Sequence, residues 1–564
     1  LVETTEEAND FLRWLSQDRN VLAIDTETGG LSYHKDPLRL VQFGDTSEGW
    51  SLSYKDWRGV IKIALERYEG PVVLHNHSFD YHFLTQNGLP LPKGRTHDSM
   101  LMSHLLEPNQ AMGLKAAARR HVDPQAADGQ QLLKQAFRQY GWTWATVPEN
   151  YGPYFSYACL DTVLTACLAE KLLPQIQSLG LEPSYDLEME YSEIMRAVET
   201  RGIRLDIEYT QKLKDTWHDE LIEIQDDLIE SGITNPGSDH QISTVFCELG
   251  WNPTQFTPTG RPKMDESVLS QMENPLAKMI LRYRRLVKWT SGYLDNFLNL
   301  QHDGRIHPTI RTYQARTGRS SVTSPALQTL PRGDTIRNCL IPEDGHSFIS
   351  TDFNQVEMRI FAHFSQEHEM LKRINDGMNV HAATAEALYG PEFTSDQQQI
   401  AKNGNFAKVY GAGIGKFAAT AKVSLDEAQA FDLAYNQRFP GVARFSQQVI
   451  DLGRSRYNME GLAYVRTPLG RRLVADPKKV YSLVNYLIQG TASEVFKQKI
   501  CYLSRAGFED NLRLVVHDEG LFDVPDEDCE EASKAIAEIM TDTDSFAVPL
   551  TVSSSPPAKR WGGK

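Results

Sequence analysis

Cysteine is scarce: six residues in 564 (Cys159, Cys167, Cys247, Cys339, Cys501 and Cys529), with no C-x-x-C pair among them. That pattern argues against a zinc finger or a disulfide framework and fits a reducing compartment. No run of about 18 uncharged apolar residues occurs, so nothing in the chain reads as a membrane span. Positive charge is in deficit. Lys+Arg 58 against Asp+Glu 74 leaves −16, which rules out a uniformly basic nucleic-acid coat. Net charge averages over local patches, however. Internal repeats and low-complexity segments are missing too. What is present is 41% hydrophobic residues, enough for large buried cores, on a length of 564. At roughly 150 residues per domain, three or four units are expected. The first residue is Leu1 rather than Met, which leaves a removed targeting segment or upstream domain open.

The first part of the chain reads as α/β. Thr4 to Glu7 has the form of a capping box, opening an amphipathic helix with Phe11, Leu12, Trp14 and Leu15. Val21–Ile24, Leu38–Phe43 and Val72–Leu74 are strand-like, with helical stretches between and after them, so one mixed-sheet domain is expected through about residue 180. From about Ser184 the pattern turns helical. Leu213, Trp217, Leu221, Ile224 and Leu228 recur at helix spacing, and a second helix carries Lys278, Arg282, Arg284, Arg285 and Lys288. That basic run is either a solvated helix face or a phosphate grip. Strands return at Phe348–Thr351 and Leu512–Val524, and the Ser553–Pro557 tail reads as a surface excursion.

Asp25 and Glu27 stand two apart at a strand end, so alternation points both carboxylates to one face. Hard divalent cations want several carboxylate oxygens, although a D-x-E at a strand end is often only turn chemistry. Asp80 follows where another apolar strand gives way to a helix. Tyr157 and Asp161 are four apart and share a helix face. Together the five resemble the DEDD-type 3′→5′ exonucleases, in the subtype with a tyrosine in the last motif. The resemblance implies an RNase H-like fold over residues 1–183, two Mg²⁺ ions held by Asp25, Glu27, Asp80 and Asp161, and a water oriented by Tyr157. Asp98 is acidic too, and a helix N-cap suits it better.

In the second half an apolar strand, Phe348–Thr351, runs into Asp352-Phe353-Asn354-Gln355-Val356-Glu357. Far downstream, apolar strands flank His517-Asp518-Glu519-Gly520, which reads as a hairpin with Asp518 at its tip. Between them Lys402, Phe406 and Tyr410 recur every four residues, lining one helix face with a cation and two aromatics. Core packing is the commoner use of such a stripe, yet a lysine head resists full burial, and a cation beside a ring is what nucleotide binding needs.

These segments resemble motifs A, B and C of the family A DNA polymerases. Thr317-Gly318-Arg319, Ser324 to Gln328, Val380 to Ala385, Thr467 to Arg472 and Asn485 to Ala492 resemble further segments of that family, in order. The resemblance implies a right-hand polymerase domain over 184–564, with a thumb at about 207–300, a palm at about 301–365 and 456–564, and fingers at about 366–455. It further implies two Mg²⁺ ions on Asp352 and Asp518, with Mn²⁺ as a substitute, and the Phe353 carbonyl in the coordination shell. Glu519 supports that site. Gln355, Glu357, His381, Gln398, Lys402, Phe406 and Tyr410 meet the nucleotide, with Glu357 excluding a ribose 2′ hydroxyl. Arg319, Gln328, Arg471, Asn485, Gln489 and His517 meet primer-template DNA. One departure stands out. Gln398 occupies the place of a family arginine, and an amide cannot replace an arginine–phosphate pair; Arg359 and Lys416 are the candidate substitutes.

The implied activity is template-directed DNA synthesis from deoxynucleoside triphosphates with 3′→5′ proofreading. The expected protein is a monomer with no membrane partner, in bacterial or phage-infected cytoplasm, with organellar import left open. Two other readings remain: an exonuclease with an impaired polymerase half, motivated by Gln398, and a primer-template-binding module without catalysis. The glycine-rich Gly411–Lys416 mimics a phosphate loop but follows a helix and lacks the hydroxyl residue, so it reads as a helix-ending turn.

Overall fold

The computed structural model describes residues 1–331 and 333–563. The first helix, α1 (Thr5–Leu15), starts at the expected capping box: the Glu7 amide donates to Thr4 Oγ1 at 3.2 Å and the Thr4 amide to Glu7 Oε2 at 2.8 Å. Two N–H groups that a helix start leaves unpaired are thereby satisfied. Its apolar face lays Phe11 against Phe43, ring centroids 5.2 Å apart. Then come β1 (Leu22–Thr28), β2 (Leu38–Gly44), β3 (Gly49–Ser53), α2 (Tyr54–Arg67), β4 (Val72–Leu74), α3 (His77–Gln86) and β5 (Thr96–Asp98). They build one mixed sheet in the order β3-β2-β1-β4-β5, with β1 antiparallel to β2 and parallel to β4. Helices α4 (Ser99–Leu106), α5 (Leu114–His121), α6 (Asp128–Tyr140) and α7 (Gly152–Ser178) follow, and α7 packs along β1.

Helix α8 (Glu182–Arg201) is the joint between the halves. It meets α3 and α4 on one side and a long helix of the second half, Ser482–Leu503, on the other. Beyond it, α9 (Ile207–Glu230) is the amphipathic helix expected from its apolar spacing, and it packs on α10 (Pro275–Trp289), which carries the basic run. The strand β6 (His346–Phe353) leads into α11 (Val356–Ser365). A helical block then runs through α12 (Val380–Tyr389), α13 (Ser395–Tyr410), α14 (Ile414–Ala421), α15 (Leu425–Arg438) and α16 (Pro440–Glu460). The hairpin β7 (Ala463–Arg466) and β8 (Arg472–Ala475), the helix α17 (Ser482–Leu503), and the hairpin β9 (Leu512–Val516) and β10 (Glu519–Pro525) complete this half.

The tail departs from its reading as a surface excursion. Val552–Ser554 is a strand, β11, that pairs antiparallel with β6 and closes a sheet ordered β9-β10-β6-β11. Polar Ser553 and Ser554 hid this strand because it lies at a sheet edge, where apolar alternation is not required. Two glycines have steric reasons. A Cβ on Gly404 in α13 would lie 2.2 Å from the Phe431 ring of α15, so the residue permits close helix packing. Gly411 ends α13 with φ +60, confirming the turn read in the glycine-rich stretch.

Buried charge ties the halves together. Glu188 of α8 pairs with Arg471 of the β7–β8 turn and accepts from Lys497 Nζ of α17 at 2.6 Å. Lys497 also donates to the Thr312 carbonyl at 2.7 Å. On the other side of α8, His77 of α3 bonds Asp98 at 2.8 Å and lies 3.2 Å from Glu193. Asp98 caps α4 as expected, accepting from the amides of Met100 and Leu101. Burial alone would push the His77 imidazole down, but bonds to Asp98 and Glu193 and their charges raise it to about 9.

This bridge makes a pH-dependent contribution to stability. The folded pKa lies above the ordinary value near 6.5, so the stabilisation is complete below that value and is lost as pH rises through about 9. It should be worth roughly 3 kcal/mol. Urea unfolding of the wild type and of His77→Gln should differ by that order at pH 6 and converge by pH 10; an equal gap at both pH values refutes the bridge.

Candidate active sites

The first site forms where β1 meets α7. Alternation along β1 turns Asp25 and Glu27 to one face, and a register shift between Glu27 and Thr28 kinks the strand there. One turn of α7 separates Tyr157 from Asp161. Ligand oxygens of Asp25, Glu27 and Asp161 all lie within 4.8 Å of one another. Asp80, only 2% exposed, borders this trio from α3 and accepts the Thr26 hydroxyl at 2.6 Å. The structure thus brings together all five residues singled out from the sequence, with Asp80 turned toward Thr26.

The electrostatics show what this cluster needs. Burial raises Asp25 to about 7. Burial and the charge of Asp25 raise both Glu27 and Asp80 well above the usual carboxylate range. Carboxylates crowded in a poorly solvated place hold protons unless a cation offsets them. An all-oxygen donor set of this span fits a hard divalent ion such as Mg²⁺ or Mn²⁺.

Sequence reasoning missed Lys115. It projects from α5 into the cluster, forms an ion pair with Asp161, and sets its ammonium 4.5 Å from the centre of the Tyr157 ring. Burial lowers it to about 8 against the opposing charges of Asp25 and Glu27. Its only local signal is a lysine at the start of a short basic helix, and nothing there says that it faces inward.

The second site lies at one edge of the second sheet. Register pairs Asp352 with Glu519, and the Phe353 amide donates to the Asp518 carbonyl at 3.3 Å. The hairpin turns through His517 at φ +60, which brings Asp518 beside Asp352. Burial and the charge of Asp352 raise Asp518 to about 7. Glu519 accepts the Ser350 hydroxyl, so it is held in the sheet behind the pair.

Glu357 of α11 is the hub of this site. It is ion-paired to Arg319 and accepts the Tyr410 hydroxyl at 3.1 Å, while Gln489 of α17 donates to the Tyr410 oxygen at 3.5 Å. Along α13, Phe406 and Tyr410 rings stack at 6.0 Å. His381 of α12 lies 5.5 Å from the Phe406 ring, and burial with the charge of Lys402 lowers it to about 4. The cation and rings read from spacing therefore share a face, with His381 beside them.

Several other expected contact residues have partners within the protein. Arg471 is buried, 2% exposed, and paired with Glu188. It lies beneath Gly318, where a Cβ would come within 2.9 Å of its guanidinium, and so it supports the turn that carries Arg319. Gln328 accepts from the Val322 amide at 3.3 Å and donates to the Val515 carbonyl at 3.4 Å. Gln355 accepts from the Val380 amide at 3.0 Å, at the start of α12. Asn485 keeps a buried side-chain oxygen with no hydrogen-bond partner among the described residues. Gln398 is half-buried near the start of α13. Of its candidate substitutes, Arg359 is held by the carbonyls of Asn354 at 2.9 Å and Pro549 at 2.7 Å, leaving exposed Lys416. On α10, Arg282 pairs with Glu220 and Arg284 with Asp239, whereas Lys278, Arg285 and Lys288 are exposed.

Comparison with known proteins sets these two sites in context. The profile of DNA polymerase family A matches residues 207–562, and that of a 3′-5′ exonuclease domain matches residues 1–177. The chain is 29% identical to a DNA polymerase of Mycobacterium phage D29 and 30% identical to that of Mycobacterium phage L5, in each case over 100% of this chain and 96% of the relative. A DNA polymerase I of Chloroflexus aurantiacus is 29% identical over 86% of this chain and 54% of its own length. In fold, the chain is similar to the POL domain of Pol1 from M. smegmatis, solved in complex with DNA primer-template and dNTP. The TM-score is 0.80 at 23% identity, covering 100% of this chain and 99% of that one.

Divalent ions should stabilise the protein by binding the folded carboxylate clusters, by about 3 kcal/mol at a hundredfold excess over Kd. Thermal unfolding with increasing Mn²⁺ should show a rising Tm. Asp25→Asn combined with Asp161→Asn should remove the greater part of the rise. An undiminished rise in that double variant places the metal elsewhere.

Proposed function

Because the chain belongs to DNA polymerase family A and carries a 3′-5′ exonuclease domain ahead of the polymerase domain, we propose that it extends primed DNA at Asp352 and Asp518 and trims 3′ ends at Asp25, Glu27, Asp80 and Asp161. The observation that carries this reading is the convergence of Asp352 and Asp518 at one sheet edge, bordered by the Arg319–Glu357–Tyr410 cluster. Bound divalent cations, two at each site and Mg²⁺ by preference with Mn²⁺ as substitute, supply Lewis acidity and charge neutralisation. Asp352, Asp518 and the Phe353 carbonyl hold them at the polymerase site.

The chain's own groups do the rest. Lys402 meets the triphosphate and gives a proton toward the departing pyrophosphate, with His381 beside it. Phe406 stacks on the incoming base. Glu357, pinned by Arg319 and Tyr410, presents a fixed wall to the sugar and excludes a 2′ hydroxyl. Arg319, Gln489 and His517 meet the primer-template end, with Asn485 offering its buried oxygen. Arg471 acts beneath Arg319, Gln328 braces β9, the first strand of the hairpin, and Gln355 anchors α12. The thumb (about 207–300) grips phosphates through Lys278, Arg285 and Lys288, which makes binding salt-dependent. The palm is assigned to about 301–365 and 456–564, the fingers to about 366–455, and the exonuclease domain to 1–183. At the second site Tyr157 orients water for attack on the terminal phosphodiester. The protein works as a monomer, in bacterial or phage-infected cytoplasm. Among the described residues no helix is long and apolar enough to cross a membrane.

Primer extension with Mg²⁺ and four deoxynucleotides tests the whole reading: elongation is expected, and 3′ degradation without elongation refutes it. Asp518→Ala should abolish synthesis and spare degradation, and Asp25→Ala should do the reverse; a parallel loss of both activities in either variant breaks the two-site assignment. Glu357→Ala should admit ribonucleotides at least tenfold more readily, a change of about 1.4 kcal/mol in discrimination. Unchanged sugar selection would remove Glu357 from that role.

A further inference from the structure

Lys115 is the one cation ion-paired within the exonuclease carboxylate cluster among the described residues, and a simple structural role accounts for it poorly. Its neighbours on α5, Arg119 and Arg120, turn outward to the Pro124 carbonyl and to Glu107, whereas the Lys115 side chain is 12% exposed and ends on Asp161. Helix α5 is already docked by Ala117 and Ala118, packed in one apolar cluster with Leu164 and Leu168 of α7. The ion pair is therefore not needed to hold the helix.

The pair also stands in conflict with the site's purpose. A divalent cation shared by Asp25, Glu27 and Asp161 takes oxygens of the same carboxylate that Lys115 holds. Cation binding and this ion pair compete, and the ammonium must then find another acceptor. Its four-carbon stem lets the head move several ångströms without moving the helix. Charge indicates the acceptor. Two divalent ions balance Asp25, Glu27, Asp80 and Asp161, which leaves Lys115 as the one uncompensated charge. A phosphodiester carries one negative charge. Tyr157, assigned to the attacking water, already lies against the ammonium.

We propose that Lys115 is a catalytic residue of the 3′-5′ exonuclease: displaced from Asp161 by the divalent ion, its ammonium donates to a non-bridging oxygen of the scissile phosphate. There it offsets the charge that builds up as water attacks. The inference rests on reading the Asp25 cluster as a cation-dependent exonuclease site.

Two measurements on the full chain test it together. Lys115→Met keeps the stem and removes the charge. Mn²⁺ binding without DNA, followed by calorimetry, should tighten about tenfold, because a competing cation has gone. Single-turnover excision of a single-stranded oligonucleotide at saturating Mn²⁺ should nevertheless slow about 10- to 100-fold, as expected for one lost charge-assisted hydrogen bond. Lys115→Arg should excise within about threefold of the wild type. Primer extension should be retained in both variants, which reports that they fold. Wild-type excision by Lys115→Met at saturating Mn²⁺ overturns the proposal, as does an arginine variant as slow as the methionine one. Weaker Mn²⁺ binding in Lys115→Met also overturns it, since that makes Lys115 an organiser of the cluster. If the wild type shows no excision that Asp25→Ala removes, the underlying reading fails instead, whatever Lys115 does.

Discussion

Like charges must be held together where water cannot fully solvate them, and the rest of this protein is arranged around that constraint. Asp25, Glu27, Asp80 and Asp161 occupy one such place, and Asp518, beside the exposed Asp352, another. Each gathering costs free energy that the backbone must supply through stiff elements. The chain uses the same solution twice: a strand carries the first carboxylate, and a second element packed beside that strand brings the next. In the N-terminal half that element is α7 against β1, and in the C-terminal half it is the β9–β10 hairpin against β6. Sheet registers fix such positions more firmly than loops can, because slipping a strand by one residue would reverse every side chain.

Buried ion pairs serve the same end at a distance. Glu188 lies in the joint helix α8 and takes two cations from the polymerase half, Arg471 and Lys497. Such pairs add little net stability, but removing one partner leaves an uncompensated charge and is costly. Their value here is positional. Arg471 lies under Gly318, so it sets the turn that presents Arg319, and Arg319 in turn holds Glu357. A helix that also contacts α3 and α4 is thereby linked through Glu188, Arg471 and Arg319 to Glu357.

Legibility in the sequence followed locality. The capping box at Thr4, the two-residue spacing of Asp25 and Glu27, the four-residue spacing of Lys402, Phe406 and Tyr410, and the hairpin around Asp518 are all short-range patterns, and periodicity alone exposes them. What was not legible depends on partners far along the chain. Arg471 resembles a surface arginine until Glu188, nearly three hundred residues earlier, is brought beside it. Lys115 resembles any lysine of a basic helix. Gln328 and Gln355 resemble ligand-binding amides, yet each is engaged by backbone groups. The tail strand β11 escaped because edge pairing uses backbone hydrogen bonds and imposes no pattern on its serines.

The Gln398 departure gains meaning from this arrangement. With Arg359 bound to backbone carbonyls and Arg319 paired to Glu357, the interior cations of the polymerase site are engaged. On the proposed reading, positive charge for a triphosphate comes from α13 and its surroundings, where Lys402 lies beside His381 and Lys416 is exposed on the following helix. Burial and the charge of Lys402 lower His381 to about 4, so it adds no positive charge near neutral pH. Lysine acts as a point charge and arginine as a planar fork. The close contact of Gly404 with Phe431 packs α13 directly on α15, and that packing fixes where the face carrying Lys402 and Phe406 is presented.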